Sequence, residues 1–245
     1  GDMHVDVSVE KMKRKFGVDI LLELPKVAYK ETIGATTKVE YKHKKQTGGH
    51  GQYGHVVIEI APLTRGDGVE FEHKVVGGNV PRQFIPAVQK GVNETLPDGP
   101  LANSPIVDVK VTLLDGSAHS VDSSEMSFKI ATAQALKQGI LDARPVLLEP
   151  VMNLSIRVPS DHVGDVMGDL NTRRGQVHGV EPDGIFSKVD AEAPLAEVQR
   201  YSTDLRAITQ GRGSFAMEFD RYVEVPGNVQ EQVLKLLATA AEVEE

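Results

Sequence analysis

Three stretches of the chain have residue types and spacings that could do chemistry. In "KKQTGGHGQYGHVVIEI", Lys44 to Ile60, the glycines at 49, 51 and 54 spell G-x-G-x-x-G. That pattern holds a dinucleotide when a strand precedes it and a helix follows, because the pyrophosphate rests on the helix N-terminus. In "AHSVDSSE", His119, Asp122 and Ser123 are the three residue types of a nucleophilic triad. Such triads are assembled from distant segments and recognised by geometry. In "LNTRRGQ", Arg173 and Arg174 end a predicted helix, and "TQGRGSF" adds Arg212. These cations either complement a helix macrodipole or meet a phosphate backbone.

The elements around each stretch decide among these readings. After Gly54 come His, Val, Val, Ile, Glu and Ile, a β-branched run that predicts a strand. "ATTKVEYKHKKQ", Ala35 to Gln46, alternates as a strand too. The glycines therefore sit at a hairpin tip, and the dinucleotide reading fails on context. Two readings of the tip remain. In one, glycine supplies positive φ for a turn and the lysines blunt a sheet edge. In the other, the tip is a probe that about 12 strand residues could project by ~40 Å. Gln52 would then read polar edges, His50 and Tyr53 would stack on bases, and lysines such as Lys42, Lys44 and Lys45 would favour phosphates.

Asp122 and Ser123 are read as capping residues of a helix with Glu125 three positions on. His119 precedes that cap in a loop, as a solvated histidine or a contact residue. That helix has a predicted stripe of Ile130, Ala133, Leu136 and Ile140, and "DGSAHS" before it reads as a loop. Further strands are predicted at "VEFEHKVV" and "IVDVKVTLL", with a helix from about Arg82 to Leu96 between them. Near the N-terminus, "SVEKMKRKFGV" reads as a short amphipathic helix and "DILLEL" as a strand. From Val151 the pattern becomes β-α-β-β-α-β, the order of a ferredoxin-like split unit. A last helix, Asn228 to about Ala241, places Val229, Val233, Leu236 and Leu237 on one side.

Composition narrows the function classes. The 245 residues contain no cysteine, which excludes disulfides and thiolate metal sites. No H-x-x-x-H pair and no G-x-x-x-x-G-K-[ST] occurs, so neither a helical zinc pair nor a P-loop is present in this sequence. A net charge of −8 argues against nucleic-acid binding by overall charge but leaves local basic patches open. No apolar run nears the ~18 residues that span a membrane. The start "GDMHVDV" suggests a piece of a larger protein.

Taken together, "GDMHVDV", "GGHGQYGHV", "VVGGNVPRQFIPAVQKG", "HSVDSSEMSFK", "PVLLEPVM", "GDVMGDLNTRRG" and "ITQGRGSF" occur in the order found in the C-terminal part of translation elongation factor G. The chain resembles that family over essentially its whole length. "KKQTGG", "VPRQF", "GDLNTRRG" and "QRYSTDL" are more similar to the elongation factor G-like paralogs than to the main factor.

The resemblance implies an α+β chain. Residues 1–24 would be a remnant of domain III. Residues 25–148, with the C-terminal helix at about 226–245, would form the ribosomal-protein-like βαβ domain IV. Residues 149–225 would form the ferredoxin-like domain V. It implies ribosome binding, with domain IV at the small-subunit decoding region. There Gly48, Gly49, His50, Gly51, Gln52, Tyr53 and Gly54, together with Gly116, Ser117, His119 and Ser120, would contact the tRNA–mRNA duplex. Arg173 and Arg174 would face large-subunit rRNA and the stalk base, with Lys42, Lys44, Lys45 and Arg212 as further rRNA contacts. The main factor usually carries arginine where this chain has His50, which replaces a permanent charge by a titratable one. No metal or cofactor is expected here, since GTP and Mg²⁺ would belong to an N-terminal GTPase domain. The resemblance implies a cytoplasmic protein, monomeric off the ribosome, that promotes translocation. The alternatives are a paralog acting in ribosome recycling, rescue or tetracycline protection, and an enzyme using His119 as acid or base.

Overall fold

The computed structural model describes residues 2–46 and 51–244. In chain order the elements are α1 (Asp2–Phe16), β1 (Lys30–Ile33), β2 (Thr37–Lys45), β3 (Gln52–Pro62), β4 (Val69–His73), a 3₁₀ turn (Arg82–Phe84) leading into α2 (Ile85–Thr95), β5 (Val109–Ser117) and α3 (Glu125–Asp142). They continue with β6 (Pro145–Pro159), a second 3₁₀ turn (Ser160–His162), α4 (Val163–Thr172), β7 (Gln176–Asp183), β8 (Phe186–Pro194), α5 (Leu195–Val198), α6 (Tyr201–Thr209), β9 (Ser214–Glu224) and α7 (Gly227–Glu244). The chain divides into two units. One is Tyr29–Leu148 with the segment from Glu224 onward, and the other is Glu149–Val223 with the segment up to Ala28.

The first unit is built on a sheet ordered β2-β3-β5-β4. β2, β3 and β5 are antiparallel, and β4 runs parallel to β5 and connects to it through α2. Along β3, Gly54, Val56, Ile58 and Ile60 are buried while the residues between them are not, the period of two that one covered sheet face imposes. α2 and α3 supply the cover: Val88, Val92, Phe128, Ala131, Ala135, Leu136 and Ile140 pack with Val39, Val111 and Leu113. A bulge between Val57 and Ile58 leaves Leu114 of β5 as the extra residue and carries β5 on through Ser117. "DGS" is therefore strand rather than loop.

The α3 stripe is also corrected. Its buried face is Ser127, Phe128, Ala131, Thr132, Ala135, Leu136, Gly139 and Ile140, with Ile130 and Ala133 only half-buried at its flank. Thr132 can be buried because its hydroxyl donates to the Phe128 carbonyl, 2.7 Å away. On α7, Val229, Val233 and Leu237 are half-buried, whereas Leu236 is exposed and Leu234 takes its place. The N-terminal stretch from Asp2 belongs to α1, and Asp19–Leu24 is not a strand. A strand exists through ladder partners, and the structure gives this segment none.

The second unit has the sheet order β9-β6-β8-β7, with β8 antiparallel to both β6 and β7. Its core joins Leu154, Ile156, Val158 and Val189 to Val166, Leu170, Val198, Tyr201 and Leu205. The order β-α-β-β-α-β with this strand arrangement is the ferredoxin-like split unit. The stretch from about Leu195 to Thr209 reads as one helix in the sequence but is broken at Gln199 and Arg200, which places Tyr201 in the core against Phe215 at 5.3 Å. By its position Ser160 reads as the cap of a helix from about His162 to Arg173, but its hydroxyl meets Ser187 at 3.0 Å instead.

One buried charge organises the long loop after α2. Glu31 on β1 is fully buried, and its carboxylate accepts backbone N–H bonds from Leu101, Ala102 and Ser104 at 3.0, 2.7 and 3.1 Å. Three charge-assisted bonds replace the water it has lost. Glu31→Ala would strand those donors in the interior, and a loss of about 2–3 kcal/mol is expected. Urea unfolding measures it, and amide exchange should accelerate at residues 101–104.

Candidate nucleic-acid interface

The β2–β3 hairpin is paired to its end, where Lys45 faces Gln52. Gly48, Gly49 and His50, three of the expected contact residues, lie outside the described residues. From Gly51 onward the hairpin is bound to the loop between β5 and α3. Tyr53 N–H donates to the Asp122 carbonyl at 2.8 Å, and Gly51 N–H donates to Asp122 Oδ1 at 3.0 Å. Ser123 Oγ donates to the Tyr53 carbonyl at 2.9 Å and accepts the His119 N–H at 2.8 Å. Asp122 and Ser123 thus clamp two loops, about 70 residues apart in sequence, into one end of the first unit.

That arrangement corrects the capping assignment. The N-cap of α3 is Ser124, whose hydroxyl accepts the Ser127 N–H at 3.2 Å. It also removes the triad. Ser123 Oγ engages the His119 backbone, while the His119 ring turns to its own loop, where Nδ1 accepts the N–H groups of Val121 at 3.3 Å and Asp122 at 3.2 Å. With Nδ1 accepting, the neutral ring carries its proton on Nε2. The 3.4 Å approach of Asp122 Oδ2 to Nδ1 is then proximity rather than an ion pair. His119 is 52% exposed, with its ring centroid 6.2 Å from that of Tyr53.

Gly54 and Gly116 are both buried, and packing requires glycine at each. A side chain on Gly54 would strike the Ser127 carbonyl and come within 3.0 Å of Phe128 N, since β3 passes directly under the first turn of α3. A side chain on Gly116 would strike the His55 carbonyl and approach Val80 Cγ2 to 2.7 Å. The described part of the tip that is exposed to solvent is therefore Gln52, His119 and Ser120, with Gly51, Tyr53 and Ser117 partly covered. The Gln52 side-chain Oε1 is held by His43 Nε2 at 2.9 Å.

Behind the tip, cross-strand partners place Lys44 beside Tyr53 and Lys42 beside His55 on one sheet face. Ser117 Oγ joins the Tyr53 hydroxyl and His55 Nδ1, each at 2.8 Å. Lys42 is paired with Glu40 at 2.8 Å, whereas among the described residues Lys44 and Lys45 have no ion-pair partner. Burial, and next the charge of Lys42, hold the His55 pKa below its ordinary value of 6.5. Nothing in the local sequence signals these duties of Asp122, Ser123 or His55, because each depends on a contact across tens of residues.

In the second unit the basic candidates are engaged internally. Arg173 bonds Asp169 at 2.8 Å and Asp204 at 2.9 Å. Arg174 bonds Glu149 at 2.6 and 2.9 Å and Glu197 at 3.0 Å. A phosphate reaching either must compete with carboxylates, one of which, Glu149, is buried. Neither arginine is a simple macrodipole complement. Arg212 is exposed, 2.8 Å from His162 Nε2.

Among the described residues no group of three or more His, Asp or Glu could hold a metal, and no helix is long and apolar enough to cross a membrane. The family profile "Elongation factor G, domain IV" matches residues 25–144, and "Elongation factor G C-terminus" matches residues 146–233. An "Elongation factor G-like protein" of Thermotoga maritima is 53% identical over 236 residues, covering 96% of this chain and 35% of that protein. A crystal structure of a Thermus thermophilus protein superposes with a TM-score of 0.83 at 39% identity, covering 98% of this chain and 36% of that one. The chain spans about a third of the length of the relatives it matches.

Two outcomes follow from the geometry. Asp122→Ala should release the hairpin end while leaving the cores intact. A loss of about 1–2 kcal/mol is expected, with faster amide exchange at Gly51 and Tyr53, and Asp122→Asn should restore part of it. For His55, the native state refuses a proton that the unfolded chain takes up below about pH 6.5. Its contribution to stability is complete above that pH and declines as the pH falls toward the depressed native pKa. Chemical denaturation between pH 7 and 5 should show this decline in the wild type and a flatter profile in His55→Gln.

Proposed function

The chain belongs to the elongation factor G family, and on that premise we propose that it is the ribosome-facing C-terminal part of a translation factor that promotes movement of tRNA and mRNA. The observation that carries this reading is the clamped tip. Two loops are bound into one end that presents the exposed His119 beside the half-buried Tyr53, with Lys44 and Lys45 behind them, free of ion pairs among the described residues. Aromatic faces accept any base by stacking, and lysines attract phosphates. A backbone-bonded clamp keeps those groups ordered before they meet a partner, which lowers the entropy lost on binding.

The intact protein would be a ribosome-dependent GTPase in the cytoplasm, and this part would transmit and probe without catalysing. GTP and Mg²⁺ would be held by a GTPase domain N-terminal to this chain, whose own sequence has no phosphate-cradling P-loop motif. On the second unit, Arg212 is the most accessible of the basic candidates for contact with large-subunit rRNA.

A second reading draws on the 53%-identical relative, which is named as a factor G-like protein. A paralog would use the same tip in recycling, rescue or tetracycline protection. Translocation rates of the full-length protein separate the two. Replacing residues 48–50 by serines, or making His119→Ala, should slow translocation at least about tenfold while GTP hydrolysis on ribosomes persists. Unchanged translocation would sink the tip reading. A wild-type protein that splits post-termination ribosomes but does not translocate would establish the paralog role.

A further inference from the structure

The root of the tip adjoins a cleft that neither hairpin nor histidine loop lines. Residues 74–81 connect β4 to the 3₁₀ turn before α2, and they are fixed to β5 just below the His119 loop. Asn79 Nδ2 donates to Asp115 Oδ1 at 3.1 Å, and Val80 lies so close to Gly116 that no side chain fits there. Between this loop and α2 lies an open cleft of about 550 Å³. Small-ligand sites run from roughly 300 to 1,000 Å³, so a nucleotide-sized group fits.

The lining is selective in charge. It contains Arg82 and His73, the backbone of Gly77 and Gly78, and apolar side chains, but no carboxylate. Arg82 is exposed and, among the described residues, has no ion-pair or hydrogen-bond partner for its side chain. Nearby acids are already engaged: Glu72 with Lys74 at 2.8 Å and Lys110 at 2.9 Å, and Asp115 with Asn79. Gly77 and Gly78 both have positive φ, 79° and 74°, and a side chain on either would meet nothing within 4 Å. The loop thus presents bare backbone to solvent on one wall and a free guanidinium on the other. A guanidinium is the group best matched to a phosphodiester, through paired parallel hydrogen bonds.

We propose that this cleft is a third contact surface of the tip and takes the sugar–phosphate backbone of a single RNA strand, with Arg82 as the phosphate ligand. The inference rests on the ribosome-facing reading of the tip. It commits to RNA rather than a free anion because the cleft is open and continuous with that end of the unit.

The test measures binding of this chain to isolated small ribosomal subunits across a salt series, with Arg82→Gln, Arg82→Lys and His119→Ala. Arg82→Gln should weaken binding roughly three- to tenfold and reduce the salt slope by about 0.7–0.9, the loss of one phosphate contact. Arg82→Lys should keep the slope, and an unchanged melting temperature would confirm that the fold is intact. In a parallel NMR titration, the amide signals of Gly77, Gly78 and Arg82 should move with a single-stranded RNA of about 12 nucleotides and not with inorganic phosphate at equal ionic strength. If the wild type and His119→Ala differ but Arg82→Gln binds as the wild type does, this inference fails while the tip reading stands. If the wild type does not bind small subunits, both fail. Equal shifts with inorganic phosphate would make the cleft a free-anion site and overturn the RNA assignment.

Discussion

The first unit's functional end depends on a short set of hydrogen bonds between Asp122, Ser123 and the start of β3. A two-stranded hairpin has little stability of its own beyond the sheet that carries it. Here its far end is held by the Tyr53 N–H on the Asp122 carbonyl, the Gly51 N–H on the Asp122 carboxylate and the Ser123 hydroxyl on the Tyr53 carbonyl. The clamp requires β3 to pass very close to α3, and that approach requires glycine at position 54. The bulge at Val57 is part of the same design, since it lets β5 continue to Ser117, where the hydroxyl meets both Tyr53 and His55.

The two units use charge in opposite ways. In the second, Arg173 and Arg174 are half-buried among Asp169, Asp204, Glu149 and Glu197, and their charge is consumed in fastening α4 to β6 and the α5–α6 segment. In the first, Lys44, Lys45 and Arg82 keep their charge available at the surface. A chain with net charge −8 can therefore still present a positive end, because the acids near that end are paired within the sheet.

Much of the architecture was legible in the sequence because it is periodic. The alternation in β2 and β3, the strand after Gly54 and the β-α-β-β-α-β order beyond Val151 all follow from spacing alone. Periodicity failed where polar groups are satisfied locally. Thr132 enters the core of α3 by bonding its own helix, which moved the buried stripe away from Ile130 and Ala133. It failed again at Asp19–Leu24, where an apolar run has no ladder partner. At the site, the residue types were visible but not their duties. Asp122 and Ser123 match a capping pattern that Ser124 in fact fulfils, and only a contact across 70 residues distinguishes a cap from a clamp.

Arg174 occupies a position where helices usually end in glycine. Its φ is 56°, and Gly175 N–H closes the turn onto the Leu170 carbonyl at 2.8 Å. A glycine at 174 would ease the backbone yet leave the buried Glu149 carboxylate without its guanidinium, and an uncompensated buried charge is the costlier fault. A lysine would keep the charge but lose the bidentate fit. Sequence drift at this site therefore has no easy single step. Arginine at 174 and glutamate at 149 must be inherited together, and relatives that lose one should be found to have lost the other.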